Sequence, residues 1–245
     1  MIPRVLVCGG SDSGGGAGIQ ADIKTVMALG GYAATAVTAL TVQNTLGVTE
    51  VRPVDAAFVR AQMVAVLDDI GADAVKTGLL PDASVIEAVA DELRGRRLKV
   101  VVDPVMASSS GTKFVDRAAV DAMRLILFAA ATIVTPNLPE AEEITGHKVN
   151  DVTSMAAAAS EIVTLGAAAA LVKGGHLEGS RLYDVLATRG GGILVFDGER
   201  IETRGTHGTG CTLASAIAMG LAEGLPIPDA VQRARAYVVR AIREA

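Results

Sequence analysis

The residues with most chemical potential lie in Gly205-Thr-His-Gly-Thr-Gly-Cys-Thr-Leu-Ala-Ser-Ala-Ile-Ala218, where a turn of small residues runs into a helical pattern. Gly208 and Gly210 carry no Cβ, so their N–H groups can approach a ligand closely. A helix starting near Cys211 would aim unpaired N–H donors and a positive dipole end at an anion. In its first turn Cys211 is expected to have a lowered thiol pKa and to serve as a thiolate base. The same residues would also make an ordinary loop over a packed cysteine.

Further candidates follow short apolar runs. Asp103-Pro-Val-Met106 puts a carboxylate at a strand end, where it needs a cation, a donor or water. Asn137-Leu-Pro-Glu140 opens a helix, and Asp103 with Glu140 offers hard oxygens suited to Mg²⁺ held mainly by phosphates and water. Glu140 would equally complement a helix dipole. Lys173-Gly-Gly-His176 sets a cation beside two glycines, a phosphate contact or a plain turn. Asp12, Gln43-Asn44 and Lys76-Thr77 complete the polar residues expected on one rim. The loop Gly9–Gly18 reads as a flexible lip or a plain connection. Its Gly16-x-Gly18-x-x-Ala21 is a weak dinucleotide fingerprint, because the next strand lacks the ribose-binding carboxylate. His207 and Cys211 are spaced as zinc ligands without a third partner. His147 and His176 read as surface residues and Cys8 as core, and no Gly-x-Ser-x-Gly elbow occurs.

These residues are carried by alternating elements. Extended runs are expected at Arg4–Cys8, Tyr32–Leu40, Val48–Val54, Asp73–Thr77, Lys99–Asp103, Thr132–Thr135 and Ala169–Lys173. A hairpin is expected at Arg181–Thr188 and Gly192–Phe196. Helical spacing resumes at Ile19, and Asp55 reads as an N-cap for the face Val59, Met63, Val66 and Ile70. Further helices are expected over Pro81–Arg94, Asp116–Ala130, Leu138–Thr145, Thr153–Leu165, Cys211–Glu223 and Pro228–Ala245. Strand–helix alternation implies right-handed crossovers and an α/β fold: a mostly parallel central sheet with helices on both faces, in one domain over residues 1–245. In such sheets ligands bind beyond the carboxyl ends of the strands.

Composition narrows the classes. Of 245 residues half are apolar, enough for a large core. A net charge of −5 argues against nucleic acid as a partner. No uncharged apolar run reaches the roughly 18 residues that a membrane span needs. Two cysteines, Cys8 and Cys211, make neither a disulfide framework nor a metal quartet, and a cytoplasmic location is expected.

Taken in order, Gly9–Thr25, Ala39–Val48, Lys76–Leu80, Asp103–Met106, Thr135–Ala141, Val172–His176 and Thr206–Thr212 resemble the hydroxymethylpyrimidine/phosphomethylpyrimidine kinase family of the ribokinase-like superfamily. The resemblance implies phosphorylation of 4-amino-5-hydroxymethyl-2-methylpyrimidine with MgATP, then of its monophosphate, toward thiamine diphosphate. It assigns the pyrimidine pocket to Gly10, Asp22, Gln43, Leu79 and Val105. The Mg²⁺ and phosphate region falls on Asp103, Asn137 and Glu140, with Asp103 and Glu140 as metal-side carboxylates. The nucleotide side falls on Lys173, Gly174 and Thr209, and the anion hole on Gly208, Gly210 and Cys211, Cys211 being the base. A homodimer is also expected. Leu79 stands where relatives often have Met, and Ser109 where some have Lys. A pyridoxal/pyridoxine kinase, a dehydrogenase and a non-catalytic pyrimidine-binding module are the rival readings.

Overall fold

The side-chain alternation of the first strand shows how the layers form. Val5 and Val7 join one buried cluster, and Leu6 and Cys8 join another on the opposite face. In the computed structural model, which describes residues 2–108, 111–175, 177, 179–201 and 207–244, this strand is β1 (Arg4–Asp12). After it come α1 (Gly18–Ala28), β2 (Tyr32–Asn44), β3 (Gly47–Pro53), α2 (Ala56–Asp69), β4 (Ala74–Thr77), α3 (Ala83–Leu93) and β5 (Lys99–Val102). α4 (Arg117–Ala122) continues through a π-turn, Met123–Leu127, and a 3-10 turn, Phe128–Ala130. Then follow β6 (Ile133–Val134), α5 (Leu138–Thr145), α6 (Val152–Thr164), β7 (Ala169–Lys173), β8 (Arg181–Thr188), β9 (Ile193–Glu199), α7 (Thr209–Ala222) and α8 (Ile227–Arg243).

The nine described strands form one sheet in the order β3-β2-β1-β4-β5-β6-β7-β8-β9. The pairs from β2 to β7 are parallel, while β3, β8 and β9 add antiparallel edges. Helices α2 to α6 cover one face and α1, α7 and α8 the other. This is the ribokinase-like arrangement expected, with helices on both faces of a mostly parallel sheet.

Two differences from the expected elements bear on function. β1 does not stop at Cys8 but runs through Gly9 and Gly10 to Asp12, with a register shift between the glycines. A Cβ on Gly10 would come within 3.1 Å of Leu79 Cδ2, so the bare backbone lets Leu79 lie against it. β2 likewise passes Leu40 to Asn44, because Thr41–Asn44 pair with β3 in a hairpin. The polar segment is thus strand rather than loop, which carries Gln43 over the rim.

Candidate active site

The carboxyl ends of the parallel strands open into a cleft of about 1510 Å³. Gly10, Asp22, Gln43, Leu79, Asp103, Val105, Asn137, Glu140, Lys173, Gly208, Thr209, Gly210 and Cys211 all line it, drawn from both ends of the sequence. Gly205, Thr206, Ser109 and His176 lie outside the described residues.

At one end stands the N-terminus of α7. Its N-cap, Gly208, has φ +80°, and a Cβ there would meet Gly16 O at 1.9 Å. The first helical bond runs from Thr212 N–H to Gly208 O, so the N–H groups of Gly210 and Cys211 precede the ladder, at the positive end of the helix. Lys173 Nζ lies 3.3 Å from where a Gly210 Cβ would be, which brings a cation to the same place. Lys173 Nζ also donates to Asp103 Oδ1 at 3.0 Å, and Thr135 Oγ1 reaches the same oxygen at 3.3 Å. Burial would lower the Lys173 pKa, but Asp103, Glu140 and Cys211 raise it overall. The ammonium is therefore retained.

Glu140 is the N3 residue of a capping box. Its Oε2 accepts from Asn137 N–H at 2.8 Å, and Glu140 N–H donates to Asn137 Oδ1 at 2.9 Å. The N–H of Met106 also donates to this carboxylate, tying the Asp-Pro-Val-Met turn to α5. Burial pushes the Glu140 carboxyl up to about 7, against the pull of Lys173. Its capping and cleft-lining roles coexist. Among the described residues no three His, Cys, Asp or Glu side chains converge on one metal position.

Two sequence expectations need correction, those for Cys211 and Gly174, while Asp22 lies lower in the cleft than expected. Cys211 is not a thiol with lowered pKa: burial pushes it up to about 11, Asp22 and Asp103 add to the rise, and Lys76 and the Gly18 N–H oppose it. Asp22 is fully buried, with both oxygens 3.0 Å from Lys76 Nζ and Oδ1 accepting from Ser215 Oγ at 2.7 Å. The pair forms the floor of the site, and both Asp22 and Lys76 line the cleft. Gly174 packs on β8, where a Cβ would strike Tyr183 O at 1.9 Å, and its N–H donates to Asp184 Oδ1; the cleft wall there is Gly175.

Residues the sequence noted but gave no role complete the other end. Asp12 Oδ1 accepts from Gly14 N–H at 2.8 Å, and Oδ2 from Gly16 and Ala17 N–H at 3.0 and 2.8 Å. The ring of His207 reaches Asp12 Oδ2 at 3.1 Å and Gln43 Nε2 at 3.3 Å. Burial opposes the Asp12 charge, yet these donors hold its carboxyl below the usual range. The loop after β1 is thus a wound turn around one carboxylate rather than a flexible lip. A Cβ on Gly16 would come within 2.6 Å of His207 Cδ2, so that glycine serves packing and not a dinucleotide.

A sheet-end cleft with a helix N-terminus at one side and polar side chains at the other has the layout of a ribokinase-like phosphotransferase, the class of the chain's solved relatives. The chain belongs to the phosphomethylpyrimidine kinase family, whose model matches residues 12–245. It is 47% identical to a hydroxymethylpyrimidine/phosphomethylpyrimidine kinase of Streptomyces coelicolor, over 98% of this chain and 88% of that one. Identity is 50% over 99% of this chain to the thiamine biosynthesis bifunctional protein ThiED of Geobacter sulfurreducens, of which the chain spans only half the length. Among solved structures, a phosphomethylpyrimidine kinase of Clostridium difficile superposes with a TM-score of 0.86 at 40% identity, covering 99% of this chain and 100% of the other. An ADP complex of Bacillus subtilis pyridoxal kinase superposes at 0.91 with 37% identity, covering 100% and 93%.

Proposed function

We propose that the chain transfers the terminal phosphoryl group of ATP to the hydroxymethyl oxygen of 4-amino-5-hydroxymethyl-2-methylpyrimidine, and then to the monophosphate so formed. It is a kinase of thiamine diphosphate synthesis. The observation that carries this reading is one continuous cleft joining Gln43, Leu79 and Val105 to Lys173 and the start of α7.

Phosphoryl transfer needs alignment and charge neutralisation more than covalent help from the protein. Gly208, Gly210 and the Cys211 N–H would receive the transferring group, and the Lys173 ammonium the phosphates beside it, with Thr209 on the same wall. Gln43 would meet the ring nitrogen and amine of the pyrimidine, with Leu79, Val105 and Gly10 against its faces. Asp22, paired with Lys76, would close the floor of the same pocket.

Mg²⁺ fits the donors present. Both hydrogen bonds described for Asp103 go to Oδ1, leaving Oδ2 without a protein donor among the described residues. Asp103 and Glu140 would hold the ion largely through water and substrate oxygens, where it offsets phosphate charge.

Cys211 takes the proton of the acceptor alcohol through its minor thiolate form, which the Lys76 charge favours. The second acceptor is already an anionic phosphate and needs no base. A homodimer in the cytoplasm belongs to the same reading; no described helix is long and apolar enough to cross a membrane. The structural likeness to pyridoxal kinases favours pyridoxal as the alternative acceptor. Incubation with MgATP and either acceptor, with products resolved by mass, decides: mono- and diphosphorylated pyrimidine support the proposal, and product from pyridoxal alone overturns it.

A further inference from the structure

Gln43 sits between two fixed groups. Thr41 Oγ1 lies 3.2 Å from Gln43 Oε1 and donates its hydroxyl hydrogen to Ser11 O at 2.9 Å. His207 Nε2 lies 3.3 Å from Gln43 Nε2 and 3.1 Å from Asp12 Oδ2. A threonine hydroxyl has one hydrogen. With that hydrogen spent on Ser11 O, Thr41 can only accept from the amide. Asp12, already accepting from three backbone N–H groups, is an ionised acceptor, so His207 Nε2 must carry the hydrogen between them. With its one Nε2 hydrogen given to Asp12, His207 Nε2 has no lone pair to accept from the amide nitrogen, so the amide oxygen is the end that can stand beside it. Each neighbour alone demands the amide rotated by half a turn, and the two demands agree.

We propose that His207 and Thr41 are positioning residues that fix the polarity of the Gln43 amide, with Oε1 toward His207 and Nε2 toward Thr41, and that this lock makes the pocket select an amino- over an oxo-substituted pyrimidine. The second clause rests on the pyrimidine reading above. An aminopyrimidine offers a ring-nitrogen acceptor beside an amine donor, and the corresponding 4-oxo ring offers N–H beside a carbonyl. The two patterns are reversed. A glutamine free to turn about its last bond satisfies either, so discrimination requires a restraint. His207 also precedes Gly208, so the residue that orients the acceptor's partner belongs to the loop that opens the anion hole.

The first measurement needs no substrate. In the free protein, nuclear Overhauser contacts from the Gln43 side-chain NH₂, identified through Gln43→Glu, are expected to the Thr41 methyl and not to the His207 ring. Contacts to the ring overturn the assignment. The second compares kcat/KM for 4-amino-5-hydroxymethyl-2-methylpyrimidine and its 4-oxo analogue. His207→Leu and Thr41→Val are each expected to lower the amino/oxo ratio about tenfold, the scale of one misplaced hydrogen bond. Thr41→Ser, which keeps the hydroxyl, is expected to retain the ratio. A merely structural role would slow both acceptors alike, and an unchanged ratio in His207→Leu and Thr41→Val overturns the selectivity claim. If neither pyrimidine is phosphorylated while the methyl contact is present, the acceptor assignment fails and the amide polarity stands.

Discussion

Lys76 Nζ stands 3.0 Å from each carboxylate oxygen of Asp22, and neither side chain is exposed. Burial alone would strip the lysine of its proton, but Asp22, Cys211 and Asp103 raise its pKa, so the ammonium is kept under the site. Ser215 on α7 donates to the same aspartate, which ties this pair to the helix whose N-terminus faces the cleft. Removing one partner strands a buried charge. Asp22→Ala is expected to cost about 3–5 kcal/mol of stability, measured as a lower urea midpoint. The joint change Asp22→Leu with Lys76→Met should recover part of that loss, and additive losses would contradict the pairing.

Cys211→Ala is expected to slow phosphorylation of the alcohol by about 10²–10⁴-fold, the usual share of a general base. Phosphorylation of the monophosphate should fall far less. Because the thiol pKa is raised to about 11, the thiolate fraction grows as pH rises below that value. The first reaction should therefore accelerate from neutral to mildly alkaline pH in the native chain and lose that limb in Cys211→Ala. Equal losses with both acceptors would remove the base assignment.

Glu140 gives a pH dependence of the opposite kind. Its carboxyl rises from 4.5 to about 7 on folding, so the folded state holds a proton that the unfolded chain has released. The Glu140 contribution to stability should be fully present below about 4.5 and be lost as pH climbs through about 7. Urea unfolding of Glu140→Gln against the native chain tests the sign: the substitution should flatten that decline. A native-minus-Glu140→Gln difference that grows in favour of the native chain over the same interval would refute it.

Gly208→Ala meets two obstacles, a φ of +80° and a contact of 1.9 Å with Gly16 O. The β1–α1 loop and the start of α7 cannot keep their spacing, and the N–H donors move. A fall of about 10²–10³-fold in turnover is expected, with an intact circular dichroism spectrum; near-native turnover would exclude these amides from phosphoryl binding.

Much of the frame was legible because the signals are local. Asn137-Leu-Pro-Glu140 opens a helix as expected, and α5 runs over the expected Leu138–Thr145, its capping box added by the structure. Asp55 caps α2, as its position before an apolar face implies. Where glycines or polar residues continue a strand, as in Gly9–Asp12 and Thr41–Asn44, local pattern ends too early and only partner strands reveal the rest. The electrostatics were less legible. A helix start predicts a lowered thiol pKa, but burial and the carboxylates that oppose it, Asp22 on α1 and Asp103 just past β5, come from far away in sequence. Nothing local says that Asp22 belongs to Lys76, or that His207 belongs to Asp12, 195 residues apart.

Because the Asp12 carboxylate winds Ser13–Ala17 into a turn before any ligand arrives, the rim has surrendered its disorder during folding. Acceptor association then draws on a finished mould, with little heat-capacity change beyond that of the surface it covers.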